Sequence, residues 1–234
     1  MKTIGLIGGL SWQSTIDYYR FMNLEVGRRT KGKHEAKVII DSVDFAEVEA
    51  FMQHEDFAGI TALLVDSAQR LEKAGADLLM IGANTLHFAA DSVQDSITIP
   101  LLHIVDATIN AIRTKGLTKV GLLGTKFTME QDFFKQRLVA NGMDVNIPEQ
   151  DDREFIQQII FKELFRAYIN PETKKRVLSI MVGLANKGAQ GIILGCTEIP
   201  LLIKQKDTVL PVFDTTEIHA LAAVELASIL ITEN

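Results

Sequence analysis

"GAQGIILGCTEIP", residues 188–200, and "GADLLMIGANTLH", residues 75–87, read as one unit written twice. Each opens on a glycine suited to the left-handed residue that closes a helix, runs through a short apolar stretch, and ends in a second glycine followed by small polar positions. A brief apolar run without polar alternation predicts a strand covered on both faces, as in a parallel sheet. Before each stands an amphipathic stretch, "FAGITALLVDSAQRLEKAGA" at 57–76 and "KKRVLSIMVGLANKGAQ" at 174–190, with apolar residues three and four apart. Pro171 suits the first turn of the second helix, where a missing N–H costs nothing.

Further runs extend the pattern: "TIGLIGG" at 3–9, "AKVIIDSVD" at 36–44, "PLLHIV" at 100–105, "KVGLLG" at 119–124, "LPVF" at 210–213 and a weaker one around Val145. "IGLIGG" (4–9) matches "VGLLGT" (120–125), and "IVDAT" (104–108) matches "VFDTT" (212–216), in the same order as the opening pair. The expected fold is therefore α/β, with two pseudo-symmetric parallel-sheet domains and an active-site cleft between them. Residues 1–100, completed by 213–234, form the first half in this reading, and residues 101–212 the second. The plainer alternative is that any two βα units look alike.

With 47% hydrophobic and 23% charged residues, the 234-residue chain has the composition of a globule that buries a substantial core. A formal net charge of −6 argues against a nucleic-acid face, which needs clustered Lys and Arg. One cysteine cannot make an internal disulfide and fits a reducing, cytoplasmic setting. No zinc-ligand spacing occurs, and the five histidines show none either; for His87 and His219 surface or capping roles stand beside that of orienting a neighbour. No apolar run approaches a membrane span, and the opening "MKTIGLIGGLSW", broken by glycines, reads as a strand rather than a leader. The glycines lack the spacing of a nucleotide-binding loop and read as tight-turn residues.

In parallel α/β sheets, ligands bind beyond the carboxyl ends of the strands. Four clusters fall there: Leu10, Ser11, Ser14 and Thr15; Ala83, Asn84 and Thr85; Thr125 and Thr128; Cys196, Thr197 and Glu198. Hydroxyls and unpaired N–H groups at helix starts suit a small carboxylate. Taken singly, Ser11, Thr85, Thr128 or Thr197 reads equally well as an N-cap. Cys196, at a strand end before a helix, is expected to have a lowered thiol pKa, the bland alternative being an inert buried cysteine.

Quoted together, "IGLIGGLSWQST" (4–15), "SVDF" (42–45), "ANTLH" (83–87), "GTKFTM" (124–129), "GCTEI" (195–199) and "VFDTTEIHA" (212–220) resemble the aspartate/glutamate racemase superfamily, in its amino-acid racemase branch, over essentially the whole chain. The resemblance implies a homodimeric isomerase that inverts an amino acid's α-carbon without pyridoxal phosphate or metal. Two residues, typically cysteines, flank that carbon. Cys196 matches one of them, as acid/base, and Ala83 stands where the other is expected. Thr85, or an ordered water, is then the candidate proton source on the unarmed face. Leu10, Ser11, Gln53, Asn84, Thr125, Thr128, Thr197 and Glu198 are the expected substrate contacts, for a small amino acid or related carboxylate, with no nucleic acid or membrane partner. Where relatives read "IYEELK", this chain reads "IFKELF", with Phe165 at the lysine position beside Arg166, so an acidic side chain loses a partner. One-sided chemistry by Cys196 (decarboxylation, dehydration or isomerisation) and plain amino-acid binding are the alternatives.

Overall fold

Strand β1 (Ile4–Gly8) lies between β2 (Val38–Ser42) and β3 (Leu78–Ile81), all parallel, in a computed structural model that describes residues 1–229. Strand β4 (Lys119–Gly124) likewise lies between β5 (Asp144–Asn146) and β6 (Gly191–Gly195), and β7 (Val212–Asp214) extends that second sheet on the β6 side. The central three-strand order is the same in both sheets, so the duplicated sequence unit is a duplicated βα topology. The chain divides into two units: Met1–Ile104 together with the segment from Thr216 onward, and Val105–Thr215.

Within the first unit, side chains on β1 and β3 alternate between two apolar layers, as a period of two requires. Ile7, Leu79 and Ile81 face Ile60, Leu64, Ala68 and Leu71 of the helix Phe57–Lys73. Ile4, Leu6, Leu78 and Met80 face Tyr18, Met22 and Val26 of the helix Trp12–Thr30, together with Ala220, Ala223, Val224 and Ala227 of the helix Thr215–Ile229. Each fully buried large side chain contributes about 1.5–3 kcal/mol by leaving water. β2 departs from the two-faced burial expected of every strand: it is the sheet edge, and Ile40 is exposed.

Both amphipathic stretches form helices, Phe57–Lys73 and Pro171–Asn186, and the glycines after them take positive φ (Gly75 +95°, Gly188 +93°). Asn170 caps the second by accepting from the Glu172 N–H. The weak run near Val145 is the three-residue strand β5.

The expected strand at 100–105 is corrected. Only Leu101 bridges to Leu79, and a helix, Ile104–Thr114, begins three residues later. The ladder stops because side chains take up the next backbone groups: the Leu102 carbonyl accepts from His219 Nε2 at 2.9 Å, and the Ile104 N–H donates to His87 Nε2 at 3.2 Å. In the second sheet the matching run remains a strand, β7, with Phe213 opposite Ile193.

His219 and His87 are buried, not superficial. Since a carbonyl only accepts, His219 carries its proton on Nε2, and Nδ1 accepts from the Tyr18 hydroxyl at 3.0 Å. Burial holds the His219 pKa down from 6.5 to about 4. The folded chain therefore refuses a proton that the unfolded chain binds between those values. Its contribution is undiminished above pH 6.5, falls by about 1.4 kcal/mol per pH unit on acidification, and reaches a total loss on the order of 3 kcal/mol near pH 4. Urea unfolding of wild type and His219→Gln at several pH values checks this. The variant loses the extra slope between pH 6.5 and 4, and parallel profiles contradict the account.

Candidate active site

The first cluster forms where β1 turns into the helix Trp12–Thr30. Gly9, at φ +77°, makes the turn; a Cβ there would stand 2.1 Å from the Val43 carbonyl oxygen, so no other residue fits without moving the backbone. Its N–H donates to Thr15 Oγ1 at 2.9 Å, and the Thr15 hydroxyl donates to the Ser11 carbonyl at 3.0 Å. Ser11 is the N-cap, accepting from the Ser14 N–H at 3.2 Å. The Ser14 hydroxyl lies within reach of the carbonyls of Ser11 (3.0 Å) and Gly82 (3.4 Å), which ties this helix start to the end of β3. Leu10 lends its side chain to the apolar core, so the turn at Leu10 and Ser11 offers a ligand its backbone and the Ser11 hydroxyl.

β3 is followed by Gly82, whose N–H donates to the Ile7 carbonyl, and then by Ala83, Asn84 and the short 3-10 helix Thr85–Ala89. Ala83 and Thr85 are half-buried, while Asn84 is buried. The Ala83 carbonyl accepts from His87 Nδ1 at 2.6 Å. Gln53 is exposed at the last position of the helix Phe45–Gln53. Met52, its neighbour, packs on the core.

In the second unit, Thr125 caps the helix Lys126–Glu130, accepting from the Thr128 N–H at 3.2 Å. The Thr125 and Thr128 hydroxyls are 3.0 Å apart. Thr128 is fully buried over the close approach of β4 and β6; a Cβ added at Gly124 would lie 3.2 Å from the Thr128 Cβ and 2.8 Å from the Gly195 carbonyl oxygen. This threonine therefore packs the strand ends, and its hydroxyl reaches the cap.

Cys196 follows β6 directly and is buried. Its S–H donates to Glu198 Oε2 at 3.1 Å, and the Thr197 hydroxyl donates to the same oxygen at 2.7 Å. Glu198 is itself buried and grips its two predecessors, a use that sequence reading missed when it assigned Glu198 to the substrate alone. The expectation of a lowered thiol pKa is overturned: burial, and next the Glu198 charge, push the Cys196 thiol well above its ordinary range. The helix that follows, Ile199–Leu202, is a single turn, too short to develop the opposing dipole. The resting thiol is a protonated acid held against a carboxylate. Phe165 lies past the end of the helix Gln150–Lys162, in the 3-10 turn Leu164–Arg166, with its ring 5.0 Å from that of Phe161.

Each unit thus carries one strand-end turn of matching topology, Ala83–Thr85 after β3 and Cys196–Glu198 after β6. Among the described residues no His, Cys, Asp and Glu cluster is arranged to hold a metal ion, and no helix is long and apolar enough to cross a membrane.

A sequence model described as Asp/Glu/Hydantoin racemase matches residues 7–223. The broad specificity amino-acid racemase RacX of Bacillus subtilis (strain 168) is 26% identical over 164 residues, covering 69% of this chain and 69% of that protein. The crystal structure of a candidate Asp/Glu racemase from Yersinia pestis matches with a TM-score of 0.92 at 44% identity, over 97% of this chain and 100% of that one. An aspartate racemase homologue from Pyrococcus horikoshii OT3 matches with a TM-score of 0.85 at 39% identity, over 97% and 100%. This chain belongs to the Asp/Glu/hydantoin racemase family of isomerases.

Proposed function

We propose that the protein is a cofactor-independent racemase-type enzyme that moves the α-proton of a small amino acid, with Cys196 as its acid/base. The observation that carries this reading is the buried Cys196 thiol donating to Glu198 Oε2 at 3.1 Å at the end of β6. That contact supplies a path for the step. The S–H proton passes to the Glu198 carboxylate, the thiolate takes the Cα proton, and the electron pair left on carbon delocalises into the substrate carboxylate. Return of the thiol proton to carbon regenerates the starting configuration. Protonation of the other face, by the Thr85 hydroxyl or a water beside the Ala83 turn, completes inversion, and the alkoxide or hydroxide so formed recovers a proton from the Glu198 carboxyl through solvent.

The helix starts at Ser11 and Thr125, with Asn84 and Thr197, are the proposed grip on the substrate's carboxylate and amino groups. Thr128 supports Thr125 from beneath, and Leu10 contributes backbone only. Phe165 stands at the position where relatives carry a lysine, so aspartate and glutamate hold no privilege in this reading. The homodimer is likewise a proposal, supported by the exposed row Trp12, Ile16 and Tyr19 on one helix face; sedimentation velocity reports it directly.

A second reading, one-faced chemistry such as decarboxylation with protonation by Cys196, is favoured by a single feature: alanine at position 83 has no ionisable group. Incubation of a panel of L- and D-amino acids in D₂O, read for deuterium at Cα and for chirality, separates the two. Uptake with inversion is the expected result. Uptake with full retention points to one-faced exchange, and saturable binding without uptake across the panel refutes α-proton chemistry.

A further inference from the structure

We infer that His87 is a positioning residue for the Ala83 turn, setting the direction of the Asn84 N–H by holding the peptide that carries it. The inference rests on the proposed function only for the use made of that N–H. His87 lies four residues after Ala83, the spacing at which a helical side chain returns over the preceding turn, and it is 2% exposed. Its two ring nitrogens have unambiguous roles. A backbone N–H can only donate, so Nε2 accepts from Ile104 at 3.2 Å; a carbonyl can only accept, so Nδ1 carries the proton and donates to Ala83 at 2.6 Å. In a planar trans peptide the C=O and N–H point in opposite directions. With the Ala83 carbonyl drawn onto His87, the Asn84 N–H is directed away from it, and in the proposed reading that N–H is a substrate-carboxylate donor.

The anchor on the far side of the ring is equally defined. Ile104 is the last residue of the first unit before the chain passes into the second. Two residues earlier, the Leu102 carbonyl accepts from His219 Nε2, and the His219 ring centroid is 5.7 Å from that of His87. The two imidazoles use opposite tautomers, one accepting from and one donating to the same three-residue segment, and Tyr18 completes the chain by donating to His219 Nδ1. His103, between the gripped residues, places its ring 4.6 Å from that of His87. The Ala83 turn is thereby braced against the departure point of the chain instead of resting on its own short 3-10 helix.

Two amide substitutions divide the bridge. His87→Asn puts a donor where Nδ1 stands and preserves the Ala83 contact; His87→Gln puts an acceptor where Nε2 stands and preserves the Ile104 contact alone. The expected result is a KM raised roughly tenfold in His87→Gln, with kcat changed far less, and most of that rise recovered in His87→Asn. A fall in kcat at unchanged KM, or equal effects of the two variants, overturns the inference. A second readout needs no turnover: long-range ¹⁵N–¹H spectra of the wild-type imidazole show the Nδ1–H form, and the Asn84 amide resonance shifts in His87→Gln but not in His87→Asn. An Nε2–H spectrum, or an Asn84 amide unmoved by either change, defeats the positioning role whatever the substrate, whereas failure of the D₂O experiment alone defeats only the proposed reaction.

Discussion

Cys196→Ala lowers Cα deuterium exchange by about 10² to 10⁴-fold, the range contributed by one well-placed proton-transfer group. The substitution removes only Sγ from a buried position, so the fold survives, at a cost of about 1 kcal/mol for the small void. Alanine leaves Glu198 the donor it has in the Thr197 hydroxyl, at 2.7 Å in the wild-type chain. Cys196→Ser sharpens the test. Serine preserves a donor to Glu198 but has far too high a pKa to surrender its proton, so it falls with alanine if proton transfer is the role. It stays near wild type if the thiol merely holds Glu198. Exchange rates measured by NMR in D₂O, with circular dichroism to establish folding, give the answer; wild-type exchange in both variants removes Cys196 from the chemistry.

Ala83→Cys is expected to raise inversion by about 10²-fold or more while leaving one-faced exchange nearly unchanged. Ala83 is half-buried at the turn after β3, the topological counterpart of Cys196 after β6, and its backbone is already held by His87. The new thiol supplies the missing ionisable group on that turn. Inversion and exchange are read in one experiment, from optical rotation and deuterium content over time. A folded variant whose inversion rate stays at the wild-type value refutes the assignment of this turn to the second face of the α-carbon.

Legibility in the sequence divides along physical lines. The strands β1, β3, β4 and β6 were readable because burial on both faces demands unbroken apolar runs, and the helices before β3 and β6 because one buried stripe demands a period near 3.6. The strand expected at 100–105 was not: its apolar residues are real, but the ladder is interrupted by imidazoles from residues 87 and 219, contacts that local pattern does not encode. Gln53 was read as a polar contact from its residue type alone, and only the tertiary structure places it at an exposed helix end, with its neighbour Met52 packed on the core. Ser11 and Thr128 were read both as caps and as ligands; Ser11 does cap its helix, whereas Thr125 caps the other and Thr128 is buried beside it, and the ligand role remains the proposal.

Cys196 shows the same division at one atom. Its identity, its place after an apolar run and its pairing with Ala83 across a duplicated βα unit follow from the residues themselves, because glycine turns and apolar periods are local consequences of backbone geometry. Whether that thiol rests as acid or thiolate depends on how deeply it is buried and on where the Glu198 charge comes to lie. Those are sums over neighbours brought together by folding, so the tertiary structure alone decided them, just as it decided that His87 and His219 are buried bridges rather than surface groups.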